Sequence, residues 1–100
     1  MILRLVTYDI EEDKYRNKLA KKLEAFGCER IQKSVFCGTH TLTQWRRCWV
    51  AIQLLHRRYG IPDDKVYVLV IGKKMLRSMQ YLGLEPDKKK ILNEILTLWV

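Results

Sequence analysis

Residues 2 to 10, ILRLVTYDI, are apolar almost without interruption and rich in β-branched and aromatic types, the pattern of a strand buried on both faces. Such a strand belongs inside a sheet. From Glu11 the period changes: Tyr15, Leu19, Leu23 and Phe26 recur every three to four residues among Lys14, Arg16, Lys18, Lys21 and Lys22, which predicts an amphipathic helix. Asp9 and Glu12 have capping-box spacing at its start, and Gly27 is placed to cap its end. The stretch ERIQKSVFCG, 29 to 38, alternates Ile31, Lys33 and Val35 with Gln32, Ser34 and Phe36 and predicts β structure, as one bent strand or two short ones. Thr41 and Gln44 open a second helix, whose apolar stripe is Trp45, Cys48, Trp49, Ile52, Leu55 and Tyr59; Gly60 ends it and Pro62 prevents its resumption. KVYVLVI, 65 to 71, is the clearest strand, stopped by Gly72.

After it a basic turn, KKMLRS, leads to a short apolar piece, MQYLG, that suits an edge or interface strand. The last segment starts at Pro86, a residue suited to the first helical position, and its stripe is Ile91, Leu92, Ile95, Leu96 and Trp99. The expected order is βαββαβ plus a C-terminal helix. Two βαβ units in one short chain favour an α+β, ferredoxin-like sandwich with its helices on one face of the sheet. The expected division is a domain over 1–83 and a helical tail over 84–100 that serves as an interaction segment.

Composition narrows the partners. The hundred residues hold 19 Lys plus Arg against 11 Asp plus Glu, a net charge of +8, while 48% are hydrophobic and Pro and Gly number only 2 and 5. This excludes disordered and collagen-like chains and predicts attraction to a polyanion. Basic groups recur at Lys21 and Lys22, Arg46 and Arg47, Arg57 and Arg58, Lys73 and Lys74 with Arg77, and Lys88 to Lys90. Their spread suits a duplex lying over a broad surface and held by sequence-independent phosphate contacts. The three cysteines, Cys28, Cys37 and Cys48, are odd in number and form no C-x-x-C, which argues against a disulfide framework and for a cytoplasmic protein. No stretch has the length of a signal peptide or a membrane span. Cys37 and His40 share a C-x2-H spacing, but no second pair completes a zinc set, and no glycine-rich phosphate loop is present.

The strand VTYDI ending in Asp9, the helix start EDKYRNKL and the segment GCERIQKSVF together resemble the small CRISPR-associated Cas2 proteins, over residues 1 to about 83. That resemblance implies a ferredoxin-like homodimer joined through its sheets, with a late strand of each chain often crossing to the other. It also implies a role in spacer acquisition beside the CRISPR integrase, and it leaves two activities open. Some members are described as metal-dependent endonucleases acting on RNA or on duplex DNA, others as non-catalytic scaffolds between integrase dimers. A stand-alone RNA-binding module is a third possibility.

Within the resemblance, Asp9 matches the metal-site aspartate, and Mg²⁺ or Mn²⁺ is the implied ion. A carboxylate at the end of a buried strand is fixed in direction, and Mg²⁺ takes one or two carboxylates with waters and phosphate oxygens. Two copies facing each other across a dimer axis would share such a site. Arg16 and Arg30 match arginines that flank the site and suit bidentate phosphate contact. Lys18 stands where some members have a third arginine. Ser34 and Phe36 match the S-V-F segment as supporting residues, with Phe36 equally suited to a plain core position. Cys37 and Gly38 depart from the acidic or polar residues frequent there, so this segment supplies no further carboxylate.

Overall fold

The computed structural model describes residues 1–92. Its elements run β1 (Ile2–Asp9), α1 (Asp13–Ala25), β2 (Glu29–Gln32), β3 (Val35–His40), α2 (Leu42–Tyr59), β4 (Lys65–Val70), α3 (Lys73–Arg77) and α4 (Lys88–Ile91). The four strands form one antiparallel sheet in the order β2-β3-β1-β4, so β1 lies inside it, as its nearly continuous apolar run predicts. The sheet and its two long helices give the expected ferredoxin-like α+β sandwich.

Strand alternation sorts the side chains between the two faces. Val6 and Tyr8 of β1 with Phe36 of β3 meet Tyr15, Leu19 and Leu23 of α1 and Cys48 and Ile52 of α2, building the main core on the helix face. On the other, open face, Leu3 and Cys37 meet Leu76 of α3 and Ile91 and Leu92 at the end of α4 in a smaller cluster. Arg4 is buried on the helix face, with its guanidinium carbon 4.7 Å from the centre of the Trp45 ring. The indole face offers the cation attraction where no carboxylate of the described residues does.

The second helix starts as its sequence requires. The Thr41 hydroxyl accepts from Gln44 N at 3.2 Å, and Thr41 N donates to Gln44 Oε1 at 2.9 Å, a complete capping box. Gly60 ends this helix in an extended conformation. A Cβ there would lie 2.5 Å from the His56 carbonyl oxygen, so close approach requires the glycine. At the end of α1, Gly27 takes φ +80°, Gly27 N donates to Glu24 O and Cys28 N to Leu23 O, the paired bonds of a Schellman cap.

Four local expectations are corrected. Asp9 does not cap α1: it belongs to β1, and Glu12 takes the N-cap position without a side-chain hydrogen bond. KKMLRS is not a turn, because Leu76 anchors it on the open face as α3. MQYLG is not an edge strand of this sheet, since nothing in the described chain pairs with it. The last helix begins at Lys88 behind an Asp87 cap, whose carboxylate accepts from Lys90 N at 3.0 Å, rather than at Pro86. Thr39 Oγ1 donates to Ile91 O at 3.2 Å, and Lys90 pairs with Glu29 at 3.1 Å, holding α4 against the sheet. Ile95, Leu96 and Trp99 lie outside the described residues.

Candidate nucleic-acid interface and the cleft at Asp9

The end of β1 is fixed from three sides. Tyr8 N donates to Ser34 O, and the Tyr8 hydroxyl donates to Lys33 O, both at 3.1 Å, pinning the turn between β2 and β3 beside Asp9. Arg16 Nη1 donates to the carbonyls of Ile10 and Glu11 at 2.8 and 2.7 Å, fixing the chain that leaves Asp9. The buried Asp64 carboxylate accepts from Glu11 N and Ile61 N at 3.1 and 3.0 Å, tying the turn before β4 to the same loop. Asp9 is therefore an exposed carboxylate on a stiff support.

An open cleft of 480 Å³ results, lined by Tyr8, Asp9, Ile10, Arg16, Asn17, Arg30, Lys33 and Ser34. Four of the six residues that the resemblance matches share it, Asp9, Arg16, Arg30 and Ser34, while Lys18 is not among its lining residues. Phe36 does not reach it. Its ring is fully buried, stacks on Tyr8 with centroids 6.2 Å apart, and lies 5.0 Å from the guanidinium carbon of Arg30. It supports Arg30 from below. Arg16 also pairs with Asp13, so its guanidinium holds the loop and has little left for a ligand. The exposed cations of the cleft are Arg30 and Lys33.

Two neighbours of Asp9 escape a reading of the chain alone. Lys33 stands one position before Ser34, and its place in the cleft follows from the β2–β3 turn. Lys65 is the register partner of Asp9 across β1 and β4, a pairing that only the sheet reveals. The donor set of one chain does not fit a resident divalent cation. The cleft holds a single carboxylate among Arg16, Arg30 and Lys33, and among the described residues no three His, Cys, Asp or Glu side chains could hold a metal ion.

The other basic residues fall into separate groups. Lys21 and Lys22 lie toward the end of α1, Arg46 and Arg47 near the start of α2, and Arg57 and Arg58 in its last turn, all on the helix side. Lys73, Lys74 and Arg77 belong to α3, which packs on the open face. The sheet separates the two sets, so one chain does not present them as a single surface. The cysteines are buried, and burial pushes the thiol of Cys28 up to about 12 and those of Cys37 and Cys48 up to about 11. They stay protonated and are poor nucleophiles at neutral pH. Among the described residues no helix is long and apolar enough to cross a membrane.

Fold and cleft together define a small ferredoxin-like sandwich with a polar cleft at the end of its first strand. The chain belongs to the CRISPR associated protein Cas2 family, whose pattern matches residues 1–79. It is 33% identical over 94 residues to the CRISPR-associated endoribonuclease Cas2 of Aeropyrum pernix, covering 92% of this chain and 99% of that one. A shorter match, 62% identical over 34 residues, links it to a CRISPR-associated endoribonuclease Cas2 of Pyrobaculum aerophilum; it spans 34% of this chain and 37% of that relative. Among solved structures, Streptococcus pyogenes Cas2 superposes with a TM-score of 0.67 at 25% identity, over 82% of this chain and 100% of the other.

Proposed function

We propose that this chain acts in CRISPR adaptation, in the cytoplasm, as a homodimer that binds nucleic acid and bridges subunits of the CRISPR integrase, and that its Asp9 cleft acts on a phosphodiester of RNA or duplex DNA. The gathering of Asp9, Arg30, Lys33 and Ser34 in one cleft at the fixed end of β1 carries this reading, in a chain whose relatives bear the name endoribonuclease. Arg30 offers a planar fork to two phosphate oxygens, and Lys33 adds a point charge beside it. The Asp9 carboxylate accepts the proton of an attacking hydroxyl or water held next to that phosphate.

Dimerisation is supported by the open face. Tyr67 and Leu69 of β4 point to that side and are 59% and 54% exposed, and beyond α3 Leu82 and Leu84 are almost fully exposed. A second copy would cover such surface, as expected for a small chain with a limited core. By alternation Asp9 points to the same face, so two copies joined there bring two carboxylates together. The magnesium or manganese that the resemblance implies would find its second carboxylate in that arrangement and not in one chain.

The test is hydrolysis of RNA and duplex DNA by wild type and Asp9→Ala. The expected fall is at least about a hundredfold, the usual lower bound for losing a general base, with an unchanged melting curve. Equal activity in the two preparations would assign cleavage to another protein. The single carboxylate and the engaged Arg16 favour a second reading, a non-catalytic scaffold; there Asp9→Ala leaves spacer integration intact while reversal of the basic pairs abolishes it.

A further inference from the structure

The outer face of α2 carries two rows of arginine with aliphatic side chains between them. Arg46 and Arg57 stand eleven positions apart, as do Arg47 and Arg58. Each pair therefore spans three turns, about 16.5 Å of helix, and its two members lie about 20° apart around the axis. Val50 and Leu54, one turn from each other, fall in the sector between the two rows. All four arginines are exposed, and Val50 and Leu54 are 53% and 57% exposed.

Nothing within the helix accounts for this pattern. Residues 42 to 59 hold four Arg and no Lys, Asp or Glu, so no carboxylate at i,i+3 or i,i+4 within α2 supports these cations. None of the four has an ion pair among the described residues. The helix dipole favours Arg57 and Arg58 in the last turn, but Arg46 and Arg47 near the start gain nothing from it. The choice of cation also differs from that of α1, which carries four Lys and one Arg. Solubility alone does not prefer Arg to Lys, whereas protein contacts are enriched in Arg and depleted in Lys. A phosphodiester backbone would meet the arginines and offer Val50 and Leu54 nothing. An apolar centre inside an arginine rim fits instead a second helix, with its own aliphatic row flanked by carboxylates that accept the guanidinium forks.

We infer that the outer face of α2 docks an acidic amphipathic helix of a partner protein, with Val50 and Leu54 packed on its apolar row and the two arginine pairs on its carboxylates. Charge alone would give these pairs to a duplex; the aliphatic side chains between them favour a protein. The site depends neither on the Asp9 cleft nor on dimerisation. Because α2 lies on the side of the sheet away from the open face, a dimer joined through that face presents the docking surface twice.

The probe is a fluorescein-labelled peptide of the length of α2, 18 residues, with a Leu row flanked by Glu pairs eleven positions apart. A scrambled peptide of the same composition and a mixed-sequence DNA duplex are titrated beside it with the full chain, by fluorescence anisotropy. The ordered peptide should bind at least about tenfold tighter than the scrambled one, and Val50→Ser/Leu54→Ser should remove about that factor while leaving duplex binding unchanged. Arg46→Glu/Arg57→Glu should lose the Glu peptide and gain one with Lys at the facing positions, an exchange that a misfolded variant cannot mimic. Equal binding of ordered and scrambled peptides, or a serine variant that binds the ordered peptide as wild type does, reduces the face to plain charge and overturns the docking site. Absence of ordered-peptide binding also overturns it, and loss of duplex binding in the arginine variant would then assign the pairs to nucleic acid.

Discussion

On the helix side of the sheet Phe36, Tyr15, Leu19 and Leu23 are fully buried under two long helices, while on the other side Tyr67 and Leu69 stand more than half exposed. Both faces derive from the same alternating strands. What differs is cover among the described residues: α1 and α2 supply 13 and 18 residues to one face, whereas α3 and α4 supply 5 and 4 to the other. The short helices anchor only a cluster around Leu3 and Cys37, at one end of the sheet. One face thus holds the monomer together, and the other leaves Tyr67 and Leu69 uncovered by the described residues.

The largest effect is expected at Phe36. Phe36→Ala should cost about 3–5 kcal/mol, the usual range for deleting a buried aromatic, read as a lower denaturant midpoint; Tyr67→Ala should move that midpoint little in a monomer. Parity of the two variants would mean that the faces are equally structural. Next comes Leu69→Asp. In a dimer joined through the open face it acts twice by symmetry, and should raise the dimer dissociation constant about a hundredfold or more, as loss of two apolar contacts and burial of two charges require. Sedimentation at graded concentration reads it, and an unchanged dimer would place the interface elsewhere.

The smallest expected effect is on alkaline stability. The thiols of Cys28 and Cys48 on the helix face and Cys37 on the other are held protonated by burial, at about 12, 11 and 11 against an ordinary 9.0. A thiol whose folded value is raised stabilises the fold fully below its unfolded value, and that contribution declines as pH rises toward the folded value. Each thiol should therefore lower stability by about 1.4 kcal/mol per pH unit above about pH 9. Denaturant melts from pH 8 to 10 of wild type and Cys48→Ala measure this. Replacing the thiol should flatten the decline by one such increment, and an identical slope would show that Cys48 is not protected.

Long periodic elements were legible in the chain because their burial pattern repeats within one segment. Tyr15, Leu19 and Leu23 announce α1, and the Thr41 and Gln44 pair announces the start of α2 as the structure has it. Short elements were not. KKMLRS forms a helix only because Leu76 finds Leu3 and Cys37 across the open face, and a strand at MQYLG would need a partner strand to pair with. Asp9 was misread as a cap because capping spacing ignores the strand that continues through it. For the cleft, the resemblance pointed to Asp9, Arg16, Arg30 and Ser34, while Arg16's engagement with backbone carbonyls and Asp13 shows only in three dimensions. Lys33 and Lys65 followed from a turn and a strand register that no local pattern encodes.

The sequence by itself determined the order of the main elements, the apolar stripe of each, the excess of positive charge and the family signature around Asp9, because each is a property of neighbours along the chain. Only the tertiary structure decided which charges meet. It put Asp9 in one cleft with Arg30 and Lys33 and in register with Lys65, drew Lys14, Lys18 and Arg58 around Tyr59, and put α3 on the face opposite α2. Those meetings depend on strand register and helix docking, which are settled by burial of the shared core between segments distant in sequence.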